Sequence, residues 1–303
     1  MSSKKIVMKF TLKLILLMFL LVGCSNDEKE TDLCSNSNFT CIPDNNFEQA
    51  LIDSGYDTDG LNGHVLTSKI SGIKALNLYF NSIADLSGIQ DFRSLTQLYV
   101  SYNELTSLDV SANTALERLQ CSNNQLTNLD VTNNTSLTEL EIGGNRLTDL
   151  NINNNIALIG LSCPNNALTS LDVSSNTALI GLACGGNQLT SLDLSNNTAL
   201  IGLECGGNQL TSLDVSNNIS LTNLFCRENQ LIGLDVSNNL YLNILSCYRN
   251  QLTSLDVSSN SNLWDLICLS NPLTCIVVNQ FQLDNIPSDW VKDPEDIYAL
   301  VCD

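Results

Sequence analysis

From Leu95 onward the apolar residues fall on a fixed 21-residue beat. Eight copies of L-x-x-L-x-C-x-x-N-Q-L-T-x-L-D-V-S-x-N-x-x run without a gap to Asn262. A 22-residue relative covers Ile73 to Ser94, and a truncated copy starts at Leu263. Slots four and six are apolar between polar neighbours, the period of a half-buried strand. One such strand cannot bury its own apolar face, so a fixed period of this length predicts a solenoid whose coils stand only against their neighbours. Paired as a parallel sheet at ~4.8 Å spacing, roughly ten coils make a rod of about 45 Å. The rest of each copy is too short and too rich in β-branched and turn residues for a regular helix. Extended or 3₁₀ return segments around Leu-Asp-Val-Ser are expected.

The first nine slots, as in LERLQCSNN from Leu116 and LTNLFCREN from Leu221, resemble the leucine-rich-repeat signature. The stretch IKALNLYFNSIADLSGIQDF from Ile73 resembles the internalin type of that repeat. The resemblance implies a right-handed leucine-rich-repeat superhelix, a β-rich solenoid with a parallel sheet on its concave side. It also implies that ligands meet outward strand slots two, three, five, seven and eight. Read by position, the candidates near the start are Tyr99, Tyr102, Glu117 and Arg118, and near the end Phe225, Arg227, Tyr248, Arg249 and Trp264. Exposed aromatics beside arginine are what interface hot spots look like. The middle copies read as nearly blank: Ile159, Gly160 and Ser162; Ile180, Gly181 and Ala183; Ile201, Gly202 and Glu204.

Four columns run along the repeat. Asn81 to Asn271, at slot nine, is expected to satisfy backbone groups that a tight turn leaves unpartnered. A second column from Asn113 to Asn260 is assigned to the second turn, where Asn tolerates left-handed geometry. Cys121, Cys163, Cys184, Cys205, Cys226, Cys247 and Cys268 share slot six, which Val100 and Ile142 fill in two copies. That exchange marks a small buried apolar group, and free Cys behaves as one. Strands ~4.8 Å apart hold Cβ atoms too far apart for the ~3.8 Å a disulfide prefers, and no CxxC-type spacing points to metal. The Asp column, Asp109, Asp130, Asp172, Asp193, Asp214, Asp235 and Asp256, is interrupted by Asn151. Turn amides and Ser or Thr hydroxyls are its expected partners. Weakly held Ca²⁺ along it is the alternative, and no other cofactor is expected.

The ends differ from the middle. Met1 to Lys13 carries four lysines and no acid, LILLMFLLV follows, and Leu-Val-Gly-Cys closes the segment. A basic start, a short apolar core and a small residue at the cut predict a secretory signal. The last four residues resemble the lipobox of bacterial lipoproteins, which implies cleavage after residue 23 and a lipid on Cys24. The acidic run Ser25 to Glu30 resembles export signals of Bacteroidota lipoproteins, which implies an outer-membrane lipoprotein facing outward. Residues 24–40 read as a flexible acidic tether. Residues 41–72 form the N-terminal cap, 73–274 the solenoid and 275–303 the C-terminal cap. Pro43-Asp44 before NNFEQALIDSG predicts one capped helix from about Asn45 to Ser54, covering the first coil through Phe47, Ala50 and Leu51. The run DTDGLNG from Asp57 departs from a calcium loop at Leu61 and Asn62, and is read as part of the cap. Solenoid ends need capping, and leucine-rich-repeat proteins that leave the cell often staple theirs. Cys34–Cys41 and Cys275–Cys302 are the expected bonds, the second stapling a segment with Phe281, Ile286, Trp290 and Tyr298.

Charge narrows the partners. The chain carries −19, and without residues 1–23 the balance is 9 − 32 = −23. Nucleic acid and anionic lipid are excluded as partners because phosphate binding needs clustered Lys and Arg, so membrane contact is expected through the anchor alone. His64 is the one histidine, and no nucleophile–base pair, phosphate loop or metal motif accompanies it. The sequence therefore reads as a non-catalytic, lipid-anchored surface module that binds an extracellular or surface protein or mediates adhesion. A glycan-binding lipoprotein using Tyr248, Phe225 and Trp264, or a structural envelope component, are the alternatives.

Overall fold

A computed structural model describes residues 36–302. The expected signal segment, Cys24, Cys34 and most of the expected tether lie outside the described residues. Eleven parallel strands form one sheet in strict chain order, from Ala75–Asn77 to Trp290–Val291. Leu98 pairs with Leu119, Leu119 with Leu140, and so on at 21-residue steps. The right-handed leucine-rich-repeat solenoid is thus formed. Ten of the strands are three residues long with the middle leucine buried, because slot four and slot six point inward while slots three and five point out; the last, Trp290–Val291, has two. The return segments are extended and turn-rich. Among the described residues one 3₁₀ helix occurs, Ile89–Asp91, in the 22-residue coil.

The slot-nine asparagines tie coil to coil. Asn187 lies in the interior, and its Nδ2 donates to the carbonyls of Cys184 (3.0 Å), Gly185 (3.4 Å) and, one coil back, Cys163 (3.0 Å). Its Oδ1 accepts from the amide of Leu168 at 3.1 Å. The same set recurs at Asn124, Asn145, Asn208, Asn229 and Asn250. The second asparagine column does different work from that expected. Asn176 donates to the carbonyls of Ile152 (3.1 Å) and Asn155 (2.9 Å), and neither it nor its equivalents has a positive φ. Left-handed backbone sits instead at slot eight: Tyr102, Asn123, Gly144, Asn165, Gly186, Gly207, Glu228, Arg249 and Ser270. The chain must reverse there to leave the strand, just before the slot-nine side chain that closes the turn.

Both ends are closed by sequence outside the repeat. Helix α1 (Asn45–Asp53) is capped by Asp44, whose Oδ1 accepts from Asn46 and Phe47 and whose Oδ2 accepts from Ala84 and Asp85 in the first coil. Those four amides hold the Asp44 carboxyl below its ordinary pKa against the opposing effect of burial, the largest single influence on it. Phe47 packs on Phe92, so the helix covers the first coil as its apolar face predicts. Phe39–Cys41 pairs antiparallel with His64–Leu66, ahead of the short helix α2 (Thr67–Ile70). Cys41 is disulfide-bonded, while Cys34, its expected partner, lies outside the described residues.

At the exit, Cys275 and Cys302 are bonded, with Cα atoms 5.8 Å apart. This segment also continues the solenoid. Leu266 pairs with Trp290, a 24-residue step, and Leu255–Asp256, Cys275–Val277 and Ile297–Ala299 make a second, three-stranded parallel sheet. Trp290 is buried against Tyr298, whereas Phe281 is exposed.

Replacing Asn187 by Ala leaves the buried Leu168 amide without its acceptor, while the Cys163, Cys184 and Gly185 carbonyls each keep one donor, from Asn166, Asn208 and the Asn165 amide. At ~1–3 kcal/mol for a buried group left unpaired, the expected loss is about 1–3 kcal/mol. Urea unfolding of Asn187→Ala against the exposed control Asn128→Ala measures it.

Candidate functional site

The outward slots of the sheet form a continuous face that changes character along the rod. At its start Tyr79, Phe80, Tyr99 and Tyr102 gather. Phe80 and Tyr102 stack with centroids 4.3 Å apart and planes 15° apart, and Tyr79 stacks on Tyr99 at 6.2 Å. The Tyr79 hydroxyl donates to Gln120. Phe80 and Tyr102 both adopt positive φ, a strained choice for bulky residues. Next comes a polar band. Arg118 pairs with Glu139 at 2.6 Å, and Gln120 donates to Glu141 at 2.8 Å. The Tyr99 hydroxyl, foremost, and Glu139 raise the pKa of the Arg118 guanidinium.

The middle copies, blank when read as sequence, are where the face opens. A cavity of about 370 Å³ lies over Gly160, Ser162, Gly181, Ala183 and Gly202. Glu139, Glu141 and Glu204 rim it, and Asn223 and Phe225 lie at its far end. Beside this band, at slot two, Ile159, Ile180 and Ile201 are 44%, 42% and 43% exposed. The floor glycines are not demanded by the fold. None of the three has a positive φ, a Cβ on Gly181 or Gly202 would meet nothing within 4 Å, and one on Gly160 would make only an ordinary contact. Contrast the glycines after the strand. A Cβ on Gly185 would lie 2.9 Å from the Gly206 carbonyl oxygen, and Gly186 has φ +66° with the Asn165 side chain against it. A glycine inside a strand costs stability and often marks close approach of another backbone or ligand.

The residues singled out from sequence are not all brought together. Tyr99 and Arg118 adjoin each other, Glu117 is exposed at the strand edge, and Tyr102 joins Phe80. Phe225 alone of that set lines the cavity. Arg227 reaches back to Glu204 at 3.4 Å, and Arg249 pairs with Glu228 at 2.5 Å while lying 5.8 Å from the Tyr248 ring. Trp264 is 51% exposed; Trp290 is the tryptophan under the exit. The glycines, Glu139, Glu141, Tyr79 and Phe80 went unmarked in the sequence. The available signal was Ile-Gly-Leu repeated in three successive copies.

The remaining columns face away from this cavity. Each Asp of the slot-fifteen column accepts from the amide two residues on, as Asp130 does from Thr132 N (2.9 Å) and Oγ1 (2.6 Å), and Asn151 does the same with Asn153. Hydroxyl and amide donors hold Asp109, Asp130, Asp172, Asp193, Asp214 and Asp235 below the ordinary carboxylate range. Among the described residues no three His, Cys, Asp or Glu side chains converge as a metal site. All seven slot-six thiols are free and buried.

With the geometry in hand, the chain compares with known structures as follows. No family model matches it, and neither does any curated protein. The functional domain of InlJ from Listeria monocytogenes, described as including a cysteine ladder, is 32% identical with TM-score 0.69. That match covers 86% of this chain and 62% of that one. The Leptospira interrogans LRR protein LIC12759 is 23% identical with TM-score 0.67, over 75% of this chain and 62% of that one. The plant peptide hormone receptor RGFR1, in complex with RGF2, is 23% identical with TM-score 0.59, over 67% of this chain and 36% of that one. The chain thus spans under two-thirds of each of these proteins. Together they show the leucine-rich-repeat fold, with internalin-like neighbours among them.

Burial pushes the thiols of Cys121, Cys163 and Cys268 up to about 12, against an ordinary 9.0. The unfolded chain therefore loses these protons first. Stability is full below pH ~9 and falls as pH rises towards about 12. Urea midpoints should match between pH 6 and 8 and drop at pH 10.5. The drop should shrink when Cys163 and Cys121 are replaced by Val, the residue at this slot in the Leu95 copy.

Proposed function

We propose that this chain is a non-catalytic binding module whose strand face recognises a protein, with the glycine-floored trough as the centre of contact. One observation carries this reading: three successive coils hold glycine where a side chain would fit without strain. They forgo strand stability and leave an apolar floor open to an incoming chain. Half-exposed Ile159, Ile180 and Ile201 add an apolar edge, and Phe225 an aromatic stop. The arginines beside the trough are already engaged by Glu139 and Glu204, which orders the rim side chains before a partner arrives. The anchor on Cys24 and outward display on the outer membrane belong to the same proposal. They rest on the basic, apolar and Leu-Val-Gly-Cys segments of the sequence.

The test is site-specific photo-cross-linking from position 180 on intact host cells. A defined protein adduct is expected. It should vanish when Gly181 and Gly202 are both replaced by Leu, which fills the trough. Gly181→Ala and Gly202→Ala should each unfold at equal or higher denaturant, by about 0.5–1 kcal/mol, while weakening the adduct. An adduct unaffected by Leu at both positions would sink the trough as the contact centre.

A further inference from the structure

The second asparagine column leaves a row of oxygen atoms without a use in the fold. Its eight members stand at slot nineteen, from Asn113 to Asn260 at 21-residue steps, and none is more than 1% exposed. Each spends both Nδ2 protons on main-chain carbonyls of the coil before. Asn155 bonds Val131 and Asn134, both at 2.9 Å, and Asn197 bonds Val173 at 3.0 Å and Asn176 at 2.9 Å. That leaves Oδ1, a strong acceptor with two lone pairs. In all eight it is buried and accepts from nothing among the described residues.

The exit shows what this oxygen calls for. Gln282 takes over the donor role there, with Nε2 on the Val257 and Asn260 carbonyls at 3.1 and 3.0 Å. Its side chain is longer by a methylene, and its Oε1 accepts from the Asn279 amide at 2.9 Å. At the other end Phe92 holds the position one coil before Asn113 and brings no side-chain oxygen. Where the chain supplies a donor to the column's oxygen, it is used. In the eight repeat copies the donor must come from outside the chain. A buried acceptor left unpaired carries its full desolvation cost, and here that cost would recur in every coil.

Geometry selects the donor. The two Nδ2 bonds repeat from copy to copy, so successive Oδ1 atoms are related by one coil step, ~4.8 Å. A water oxygen ~2.8 Å from both members of such a pair sees them about 118° apart, close to the directions of its two protons. A file of cations fits poorly, because ions one coil apart repel and amide oxygens bring no charge to offset them. A partner chain cannot reach atoms buried this deeply.

We infer that a single file of water runs through the second turn of the solenoid, one molecule in each of the seven gaps between the eight Oδ1 atoms. Each water donates one proton to the oxygen of one coil and the other to that of the next. Every interior oxygen then fills both lone pairs. The file joins consecutive coils a second time, ten residues along the coil from the slot-nine asparagines. Reading slot nineteen as a left-handed turn residue hid this, because the task of the side chain lies in its two ends and not in its backbone.

The test has two arms. A crystal structure of the native chain, at a resolution that shows ordered solvent, should place one water between each successive pair of Oδ1 atoms. Magnetic relaxation dispersion of solvent water should count these molecules as long-lived, and the count should fall by two in Asn176→Leu. That variant removes the acceptor shared by two waters, while the Ile152 and Asn155 carbonyls keep the amides of Asn155 and Leu158. The exposed control Asn128→Ala should leave the count unchanged. Gaps without a water in the native crystal structure would overturn the inference, and so would a count that Asn176→Leu does not lower. Should Asn176→Leu fail to fold, the native crystal structure decides alone.

Discussion

The structure depends on a side-chain amide that stands in for missing backbone partners. Every coil must turn out of its strand after three residues, and that turn leaves carbonyls facing the interior. A slot-nine asparagine collects two from its own coil and one from the coil before, and returns an acceptor to an amide of that earlier coil. An aliphatic residue there would leave the earlier coil's amide unpaired and take one of two donors from each carbonyl, and a carboxylate would offer no donors. Because each asparagine spans two coils, closing a turn and stacking a coil are one event. This is why the repeat cannot fold as a single copy, and why its period is so strictly kept.

Strictness inside releases the outside. Slots one, four, six, eleven, fourteen and sixteen are fixed by the leucine and cysteine core, and slot nine by the ladder. Slots three and five touch only solvent and the outward slots of other coils. They can therefore carry an aromatic at one end of the rod, ion pairs next, and glycine at slot three in the middle copies. The thiols follow the same logic. A core rung wants one small apolar group per coil, and Val100 and Ile142 serve as well as cysteine. With burial holding the thiols neutral, neither the nucleophilic thiolate nor ready access is available for oxidation.

How much of this was legible in the sequence follows from what each feature leaves in the letters. The core columns, the slot-nine asparagines, the capped helix and the Cys275–Cys302 bond were legible, since each demands a particular residue type. The left-handed slot was not: Tyr, Asn, Gly, Glu, Arg and Ser all occupy it, so geometry there is imposed by the ladder and not by composition. The eleventh strand was hidden because its step of 24 residues breaks the period. The trough was misread because its signal is absence. Gly160, Gly181 and Gly202 look like blank positions until the structure shows that a side chain would have fitted. The Asp column was legible to the extent that Asn151 could replace an aspartate, which pointed to hydrogen bonding.

The two ends and the middle divide the chain's tasks by a single physical rule. A coil flanked on both sides is held by its neighbours, so its outer face is free to be shaped for a partner. A terminal coil lacks one neighbour and must replace it with covalent or ionic substitutes. At the exit these are the disulfide and the added strands of 275–302. At the entry they are Asp44, whose two oxygens knit helix to coil, and the buried Glu48 and Asp57. Carboxylates suit that task in a chain of −19, because they gather several amides at once while leaving an oxygen over. The cost is buried negative charge in the cap that main-chain amides answer, three at Glu48 and one at Asp57, so the entry is held by hydrogen bonds to carboxylates where the middle of the rod is held by the stacking of like coils.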